Sequence, residues 1–323
     1  MSALGAYPDE DERERELEQL SARAGGVLVT IGHSVGGRPI RAVRVPSTTR
    51  DAPRVLVNAN IHGPEHIGSR VAMAVLRGLA EERADELRRA AEVVVLPCVN
   101  VDGFARTVAR AGRGTLKELR CNDHGVDLNR NFPLPTVGDA GSLWGLVGSR
   151  ELSIAGSRDP ARATWRGPHP LSEPEAKALH DFAIVERFSA AVSLHSYMGT
   201  FIPPCVRSVD EARAYARLVT RARCAQRRRY LRFQWGFFDM FTGELEDFLH
   251  HETGTWAVTL ECFTLWQTLR QHLRAPTLFA RFNPADPRSV VANDAPAVIA
   301  FLLAALELPH PRRGATEAID PAP

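Results

Sequence analysis

Four continuous apolar segments, separated by stretches with helical periodicity, constrain the fold of this chain most strongly. They are RVLVNANI (54–61), AEVVVLPCVNVDG (91–103), SAAVSLHS (189–196) and TWAVTLEC (255–262). Apolar residues without polar alternation indicate strands that are buried on both faces, and intervening helices indicate parallel crossover connections. The predicted fold class is therefore α/β, a single domain with a mixed, mostly parallel central sheet flanked by helices.

The remaining segments fit around such a sheet. Two strand patterns at 26–34 and 38–46 flank a Gly-Gly pair and predict a hairpin. Helical patterns cover about 8–24, 67–80, 171–188, 208–226 and 293–308. For the third of these helices we predict Ser172 as the cap, Pro174 in the first turn and Glu175 completing a capping box. The segment 104–165 is too irregular and long for an ordinary connection, so we expect it to be functional or to hold small elements.

Composition limits the partners and the compartment. The 323 residues suit one catalytic domain at 1–310, followed by a Pro/Gly/Ala-rich tail at 311–323 that is predicted to be disordered. The net charge of +2 gives no support for nucleic-acid binding. The N-terminus lacks a signal-peptide pattern, and no apolar run approaches 18 residues, so we expect no membrane association. Five cysteines at scattered spacings favour reduced thiols and a cytoplasmic location.

Polar residues stand at the ends of three of the apolar segments. His62 follows the first, His195 lies near the end of the third, and Glu261 lies near the end of the fourth. Ligands of open α/β sheets bind at the carboxyl edge of the strands, so these side chains are expected to share one site. The irregular segment carries Asn129 and Arg130, a pair rich in donors and well suited to holding a carboxylate.

The spacing of His62 and Glu65 suggests a metal site. A His and a Glu three residues apart, at a turn from strand to helix, can both reach one ion, and His195 could be the third ligand. Two histidines and one carboxylate leave an open coordination position, the pattern of catalytic zinc. Taken alone this signal is weak, because a single strand-end histidine is more often structural.

Together these motifs make the chain recognisable. It resembles the zinc carboxypeptidases of the M14 (carboxypeptidase A-like) family over roughly residues 12–307. The resemblance rests on NIHGPEHIG (60–68), GVDLNRNFP (125–133), VSLHSY (192–197) and VTLECF (258–263), with supporting matches at 31–40 and 165–179.

The resemblance implies a role for each matching residue. His62, Glu65 and His195 would hold one Zn²⁺ ion, and Glu261 would be the general base and then the general acid. Arg120, nine residues before Asn129, would stabilise the oxyanion, with Arg110 and Arg113 as rivals. Asn129 and Arg130 would bind the C-terminal carboxylate of a peptide or peptide-like substrate, and Tyr197 would also contact the substrate.

The chain departs from the family at one position and suggests a specificity at another. Asp239 stands where digestive members carry a mobile tyrosine, and Tyr230 is the nearest and poorly placed substitute. Glu246 falls at the expected base of the side-chain pocket, with Glu244 and Asp247 nearby. An acidic pocket predicts preference for a basic terminal residue. The alternative is that Glu244 and Glu246 belong to a solvated loop.

The expected function is a zinc metallocarboxypeptidase that hydrolyses the C-terminal amide bond of peptides. One alternative is a murein-peptide amidase that cleaves γ-D-glutamyl-diaminopimelate, because RxNxxGVDLNRNFP also resembles that branch of the family. Another is an N-acyl amino acid deacylase of the aspartoacylase type, which shares HxxE and DLNR. A noncatalytic binding domain would require a lost ligand or base, and the sequence has lost neither.

Overall fold

A seven-stranded mixed sheet organises the computed structural model, which describes residues 2–133, 156–206, 208–230 and 243–311. The strand order is β1-β2-β4-β3-β5-β7-β6. The strands are β1 (Val27–His33), β2 (Pro39–Val45), β3 (Arg54–Ala59), β4 (Glu92–Leu96), β5 (Ala190–Ser196), β6 (Thr200–Ile202) and β7 (Trp256–Cys262).

Helices cover both faces of this sheet. They are α1 (Glu10–Arg23), α2 (His66–Ala80), α3 (Asp85–Ala90), α4 (Val101–Ala109), α5 (Leu116–Arg120), α6 (Pro174–Glu186), α7 (Val209–Ala225), α8 (Leu245–His251), α9 (Leu265–His272), α10 (Phe279–Phe282) and α11 (Arg288–Leu306). A single turn of 3₁₀ helix covers Leu128–Arg130.

The centre of the sheet is parallel and its edges are antiparallel. β4, β3, β5 and β7 are parallel neighbours, whereas β1 pairs with β2, β2 with β4, and β6 with β7 in antiparallel fashion. The predicted fold class and the hairpin of β1 and β2 are therefore confirmed. Because β3, β5 and β7 run side by side, the three strand ends that carry polar residues lie at one edge of the sheet.

Two apolar cores lie on opposite faces of the sheet. One contains Val71, Tyr215 and Phe301, from α2, α7 and α11. The other contains Leu179 and Phe248, from α6 and α8. The sheet is thus buried on both sides, which explains why its central strands have continuous apolar sequences.

The predicted capping box of α6 is wrong. The helix begins at Pro174 with Glu173 as its N-cap, and the N-cap side chain makes no capping hydrogen bond. Ser172 Oγ instead accepts a hydrogen bond from Asn131 Nδ2 at 3.0 Å, and Glu175 Oε1 accepts one from the Val35 amide at 3.2 Å. Partners that are distant in sequence have replaced the local cap.

The expectation that the irregular segment 104–165 holds small elements of its own is confirmed. It contains α5, most of α4 and the 3₁₀ turn, while residues 134–155 lie outside the described part of the chain. Helix α11 is long and apolar enough, by length and composition alone, to cross a membrane, and half of its most apolar window is buried inside the protein. The proposed tail lies outside the described residues beyond residue 311.

Candidate metal centre and active site

His62, Glu65 and His195 converge on one point at the carboxyl edge of the sheet. One ligand atom from each residue lies within 4.8 Å of the other two, and all three residues are buried. His62 Nδ1 is 2.8 Å from Glu65 Oε1, and His195 Nδ1 is 3.2 Å from both His62 Nδ1 and Glu65 Oε2. The structure therefore brings together the three residues that are predicted from the sequence to be metal ligands.

Local backbone geometry fixes the positions of the His62 and Glu65 side chains. The chain leaves β3 through Asn60, a residue type that tolerates its φ of 55°. Asn60 Nδ2 donates to the carbonyl of His62 at 2.6 Å and to that of Gly63 at 3.2 Å. A Cβ at Gly63 would lie 2.3 Å from the Leu119 carbonyl, so the turn packs directly on α5. Glu65 then stands just before α2.

A second layer of residues orients the histidines. In the tautomer with a proton on Nε2, His62 donates to Asp127 Oδ1 at 3.0 Å and His195 donates to Ser193 Oγ at 3.3 Å. Arg120 Nε donates to Asp127 Oδ2 at 2.8 Å. Such outer partners fix ring orientation in metal sites and leave Nδ1 of each imidazole directed at the shared point.

The electrostatics of the cluster favour an ionised Glu65 and a neutral His195. Burial acts to raise the pKa of Glu65, but His62 and His195 hold it well below its ordinary value. Burial lowers the pKa of His195 and so favours the neutral imidazole. Burial also acts to raise the pKa of Asp127, but Arg120 and His62 hold it well below its ordinary range.

The donor set fits a zinc ion. A tetrahedral ion with ligands at 2.0–2.1 Å separates neighbouring donors by about 3.3 Å, close to the 2.8 and 3.2 Å separations seen here. Two imidazole nitrogens and one carboxylate are the donors of open catalytic zinc sites. The residues present therefore suit the cofactor that the sequence motifs imply.

Glu261 lies beside this cluster. It is the register partner of His195 in the parallel pairing of β5 with β7, and of Thr200 in the pairing of β6 with β7. Burial and the Glu65 carboxylate raise the pKa of Glu261 to about 8, against a lowering by Arg120. Glu261 Oε2 has no hydrogen-bond partner within the described residues.

Arg120 is the arginine of the irregular segment that reaches the site. Its Nη1 is 3.8 Å from Glu65 Oε1, and its side chain is largely buried. The rival Arg110 is exposed and pairs with Glu118 at 2.9 Å, and Arg113 is also exposed. Of the three arginines considered, only Arg120 lies against the candidate metal ligands.

Asn129 and Arg130 face the start of α8. Asn129 Oδ1 accepts a hydrogen bond from the Leu245 amide at 3.0 Å. Arg130 Nη1 donates to Glu244 Oε1 at 3.0 Å, and both side chains are buried. The arginine expected to hold a substrate carboxylate thus contacts a carboxylate of the protein itself, and Glu244 does not belong to a solvated loop.

Glu246 and Tyr197 lie near the same edge. Glu246 is buried at 2% exposure, and its charge acts on Glu261. Burial, and then the neighbouring Glu244, raise the pKa of Glu246 to about 8. The Tyr197 ring packs on His272 at 4.2 Å and on Phe282 at 5.0 Å between ring centroids, and the charges of Glu261 and Glu65 act on its hydroxyl.

Two residues of the site, Asp127 and Ser193, and one ion pair, Arg130–Glu244, were not predicted from the sequence. Asp127 stands two residues before Asn129, and Ser193 two residues before His195 on the same face of β5, so the strand period could have indicated Ser193. The Arg130–Glu244 pair has no local signal. Asp239 lies outside the described residues, and Tyr230 is 2% exposed with its hydroxyl in a buried network, so it is not a mobile residue.

The fold and the candidate metal centre define a zinc-hydrolase type of site, and comparison with known proteins gives the family. A family model described as "Zinc carboxypeptidase" matches residues 14–263, so this chain belongs to the zinc carboxypeptidase family.

Curated relatives agree with this assignment over part of their length. Carboxypeptidase A2 of Mus musculus is 30% identical over 206 residues, which are 60% of this chain and 45% of that protein. Carboxypeptidase B of Rattus norvegicus is 31% identical over 186 residues, 54% of this chain and 41% of that protein. The chain spans about half the length of the curated relatives it matches.

Solved structures share the fold. Bovine thrombin-activatable fibrinolysis inhibitor, solved in complex with tick carboxypeptidase inhibitor, matches with a TM-score of 0.70 and 20% identity over 93% of this chain and 98% of that one. Carboxypeptidase A from Helicoverpa armigera matches with a TM-score of 0.70 and 18% identity over 93% of this chain and 74% of that one.

Proposed function

We propose that this protein is a zinc-dependent carboxypeptidase, which hydrolyses the amide bond before the C-terminal residue of a peptide with a free carboxylate. One observation above all supports the proposal. Glu261, whose carboxyl has a raised pKa, is the cross-strand partner of His195 and so stands beside the converging metal ligands. A metal triad and an adjacent acid–base group are what amide hydrolysis of this type requires.

His62, Glu65 and His195 would hold the ion, which supplies Lewis-acid chemistry when bound. Glu261 would remove a proton from the attacking water, hold it on its carboxyl group, and deliver it to the leaving amine. Burial raises the pKa of the Glu261 carboxyl and so helps it to hold this proton until the amine leaves. Arg120, oriented by Asp127 through Nε, would present its Nη groups to the oxyanion.

Asn129, Arg130 and Tyr197 would position the substrate. The terminal carboxylate of the peptide would bind to Arg130 in competition with Glu244. Glu246 supports a preference for a basic terminal side chain, because an incoming cation would favour its ionised form. A cytoplasmic location is part of the proposal, and it is supported by the scattered spacing of the five cysteines, which is not the pattern of a disulfide framework.

The test uses zinc-loaded protein and three peptides that are identical except at the C-terminus. The first ends in Arg, the second in C-amidated Arg and the third in Phe. Mass spectrometry reads the loss of one residue. We expect loss of Arg from the free acid but not from its amide, and slower loss of Phe from the third peptide. The matched variant Glu261→Gln should bind zinc and release no residue. Cleavage of the amide as readily as the acid would contradict the roles of Asn129 and Arg130, and faster loss of Phe would contradict the basic preference.

A second candidate is the murein-peptide amidase. The Arg130–Glu244 pair favours it, since adjacent positive and negative groups can bind a terminal residue that carries both a carboxylate and an extra ammonium, as diaminopimelate does. If the zinc-loaded protein leaves all three peptides intact, the proposal of a general carboxypeptidase is overturned. Release of diaminopimelate from a γ-D-glutamyl substrate under the same conditions would then establish the amidase.

A further inference from the structure

The backbone turns abruptly two residues after the candidate general base. Phe263 has a φ of 87°, although it is not glycine. A bulky residue in this region is rare and strained, and it persists only when surrounding contacts hold it. Phe263 is also 1% exposed, so its backbone is held in place inside the protein.

A tyrosine hydroxyl holds this turn. The Phe263 amide donates to Tyr230 Oη at 3.0 Å, and Tyr230 Oη donates to Asp294 Oδ2 at 2.7 Å. Tyr230 comes from the segment after α7, and Asp294 comes from α11. Both are buried, with exposures of 2% and 0%.

Asp294 is itself fixed from two directions. Its Oδ1 accepts hydrogen bonds from Gln226 Nε2 at 3.1 Å and from Asn293 Nδ2 at 2.9 Å. Gln226 Oε1 also accepts a hydrogen bond from the Tyr230 amide at 3.1 Å, which closes a ring of contacts. Fully satisfied buried networks of this kind fix side chains in one arrangement.

The opposite side of the turn is closed by the loop after β5. A Cβ placed on Gly199 would lie 1.8 Å from the Phe263 carbonyl oxygen. The Phe263 peptide is therefore clamped between Tyr230 and Gly199. The same strand end carries Glu261, which pairs with His195 on one side and Thr200 on the other.

We propose that Tyr230 and Asp294 are positioning residues for Glu261: they hold the strained Phe263 turn, and the turn fixes where the Glu261 carboxyl stands relative to the metal ligands. This inference rests on the proposed function for its catalytic consequence. Removing the Tyr230 hydroxyl leaves the Phe263 amide without its acceptor. The turn then relaxes, and the base moves away from its working position.

The test compares Tyr230→Phe with Tyr215→Phe, a matched control whose hydroxyl contacts the same strand. Tyr215 is also buried, and its hydroxyl accepts a hydrogen bond from the Ala257 amide of β7 at 3.3 Å and contacts His250 Nδ1 at 2.9 Å. Both variants lose one buried hydroxyl bonded to β7 or its exit. Of the two tyrosines, only Tyr230 adjoins the turn after Glu261. A general loss of stability would therefore appear in both variants, whereas a positioning effect on Glu261 would appear only in Tyr230→Phe.

The backbone readout does not depend on activity. Cys262–Phe263 is the sole Cys–Phe pair of the chain, so ¹³C′-Cys and ¹⁵N-Phe labelling gives one amide signal, that of Phe263. In Tyr230→Phe we expect this signal to move and its hydrogen exchange to accelerate, and a crystal structure to show the Glu261 carboxyl displaced by about 1 Å. In Tyr215→Phe the signal and the carboxyl should stay in place. An unchanged Phe263 signal, or an unmoved Glu261, in Tyr230→Phe would overturn the proposal.

The kinetic readout tests the catalytic consequence. Tyr230→Phe should lower kcat by about 10- to 100-fold, with KM and zinc content nearly unchanged, whereas Tyr215→Phe should keep kcat within about twofold. Asp294→Asn is the second variant and should shift the Phe263 signal in the same direction. An unchanged kcat in Tyr230→Phe would overturn the proposal. If the wild type cleaves no peptide, the proposed function fails, and the Phe263 signal and the Glu261 position still decide the positioning role.

Discussion

At the scale of single residues, the charge of the candidate specificity pocket depends on two neighbouring glutamates. Glu244 is paired with Arg130, and both side chains are buried. Glu246 is buried two residues further on, and burial together with Glu244 raises its pKa to about 8. At neutral pH the Glu246 carboxyl is therefore mostly protonated, and the pocket carries less negative charge than its sequence suggests.

This charge state predicts a pH-dependent specificity. A raised pKa means that Glu246 gains its negative charge as the pH rises through about 8. The ratio of kcat/KM for a peptide ending in Arg to that for one ending in Phe should therefore increase several-fold between about pH 6 and pH 9. Competition assays with the two peptides in one tube measure the ratio and cancel effects on Glu261. Glu246→Gln should give a flat ratio, and a wild-type ratio that does not change with pH would contradict this assignment.

The residues that could be predicted from the sequence are those whose position follows from local pattern. His62, His195 and Glu261 stand at strand ends, and Glu65 follows His62 at a recognisable spacing. Asp127 and Glu244 could not be assigned in this way, because His62 and Asp127 are 65 residues apart and Arg130 and Glu244 are 114 apart. Only the folded chain brings such partners together.

At the scale of secondary-structure elements, the exits of β5 and β7 fit closely against each other. Gly199 has a φ of 63°, and a Cβ there would collide with the Phe263 and Thr264 backbone. Gly37, in the turn between β1 and β2, has a similar φ of 76°, but a Cβ placed there would have no atom of the described residues within 4 Å. Comparing the two glycines thus separates the energetic cost of a side chain at positive φ from the cost of a steric clash with neighbouring backbone.

Gly199→Ala should destabilise the protein more than Gly37→Ala. We expect a loss of about 1 kcal/mol in the free energy of unfolding for Gly37→Ala, from positive φ alone. For Gly199→Ala we expect about 2–4 kcal/mol, because backbone must also move. Urea unfolding of both variants measures the difference. Equal losses would show that the β5 and β7 exits can separate without cost.

The same scale shows where sequence patterns fail. Most long elements were predicted with nearly correct bounds, because their apolar periodicity extends over several turns or a whole strand. Two were not: the strand predicted over 91–103 ends at Leu96, and the last helix, predicted from 293, begins at Arg288. The short elements β6, α3, α8, α9 and α10 were not predicted. Short helices are unstable alone, so contacts with distant parts of the chain, rather than local preference, decide where they form. The lost cap of α6 follows from the same cause.

At the scale of the whole molecule, the candidate metal centre joins separate parts of the chain. His62 and Glu65 lie between β3 and α2, whereas His195 lies in β5, 133 residues from His62. Apolar patterns predict a buried sheet but not its strand order, and the order alone places β3, β5 and β7 side by side. The single site was therefore expected from strand ends and motif resemblance, and its geometry required the fold.

A metal bound across these parts should stabilise the native state. A ligand at about 1,000 times its Kd adds about 4 kcal/mol to the free energy of unfolding. For a protein of this size that corresponds to a rise in Tm of about 6 °C. Calorimetry of metal-free protein with and without Zn²⁺ measures the shift, which should vanish in His195→Ala and persist in His33→Ala, a change at an exposed histidine outside the site. A zinc-induced shift that survives in His195→Ala would place the bound ion elsewhere. Because this measurement needs no substrate, it tests the metal centre separately from peptide hydrolysis.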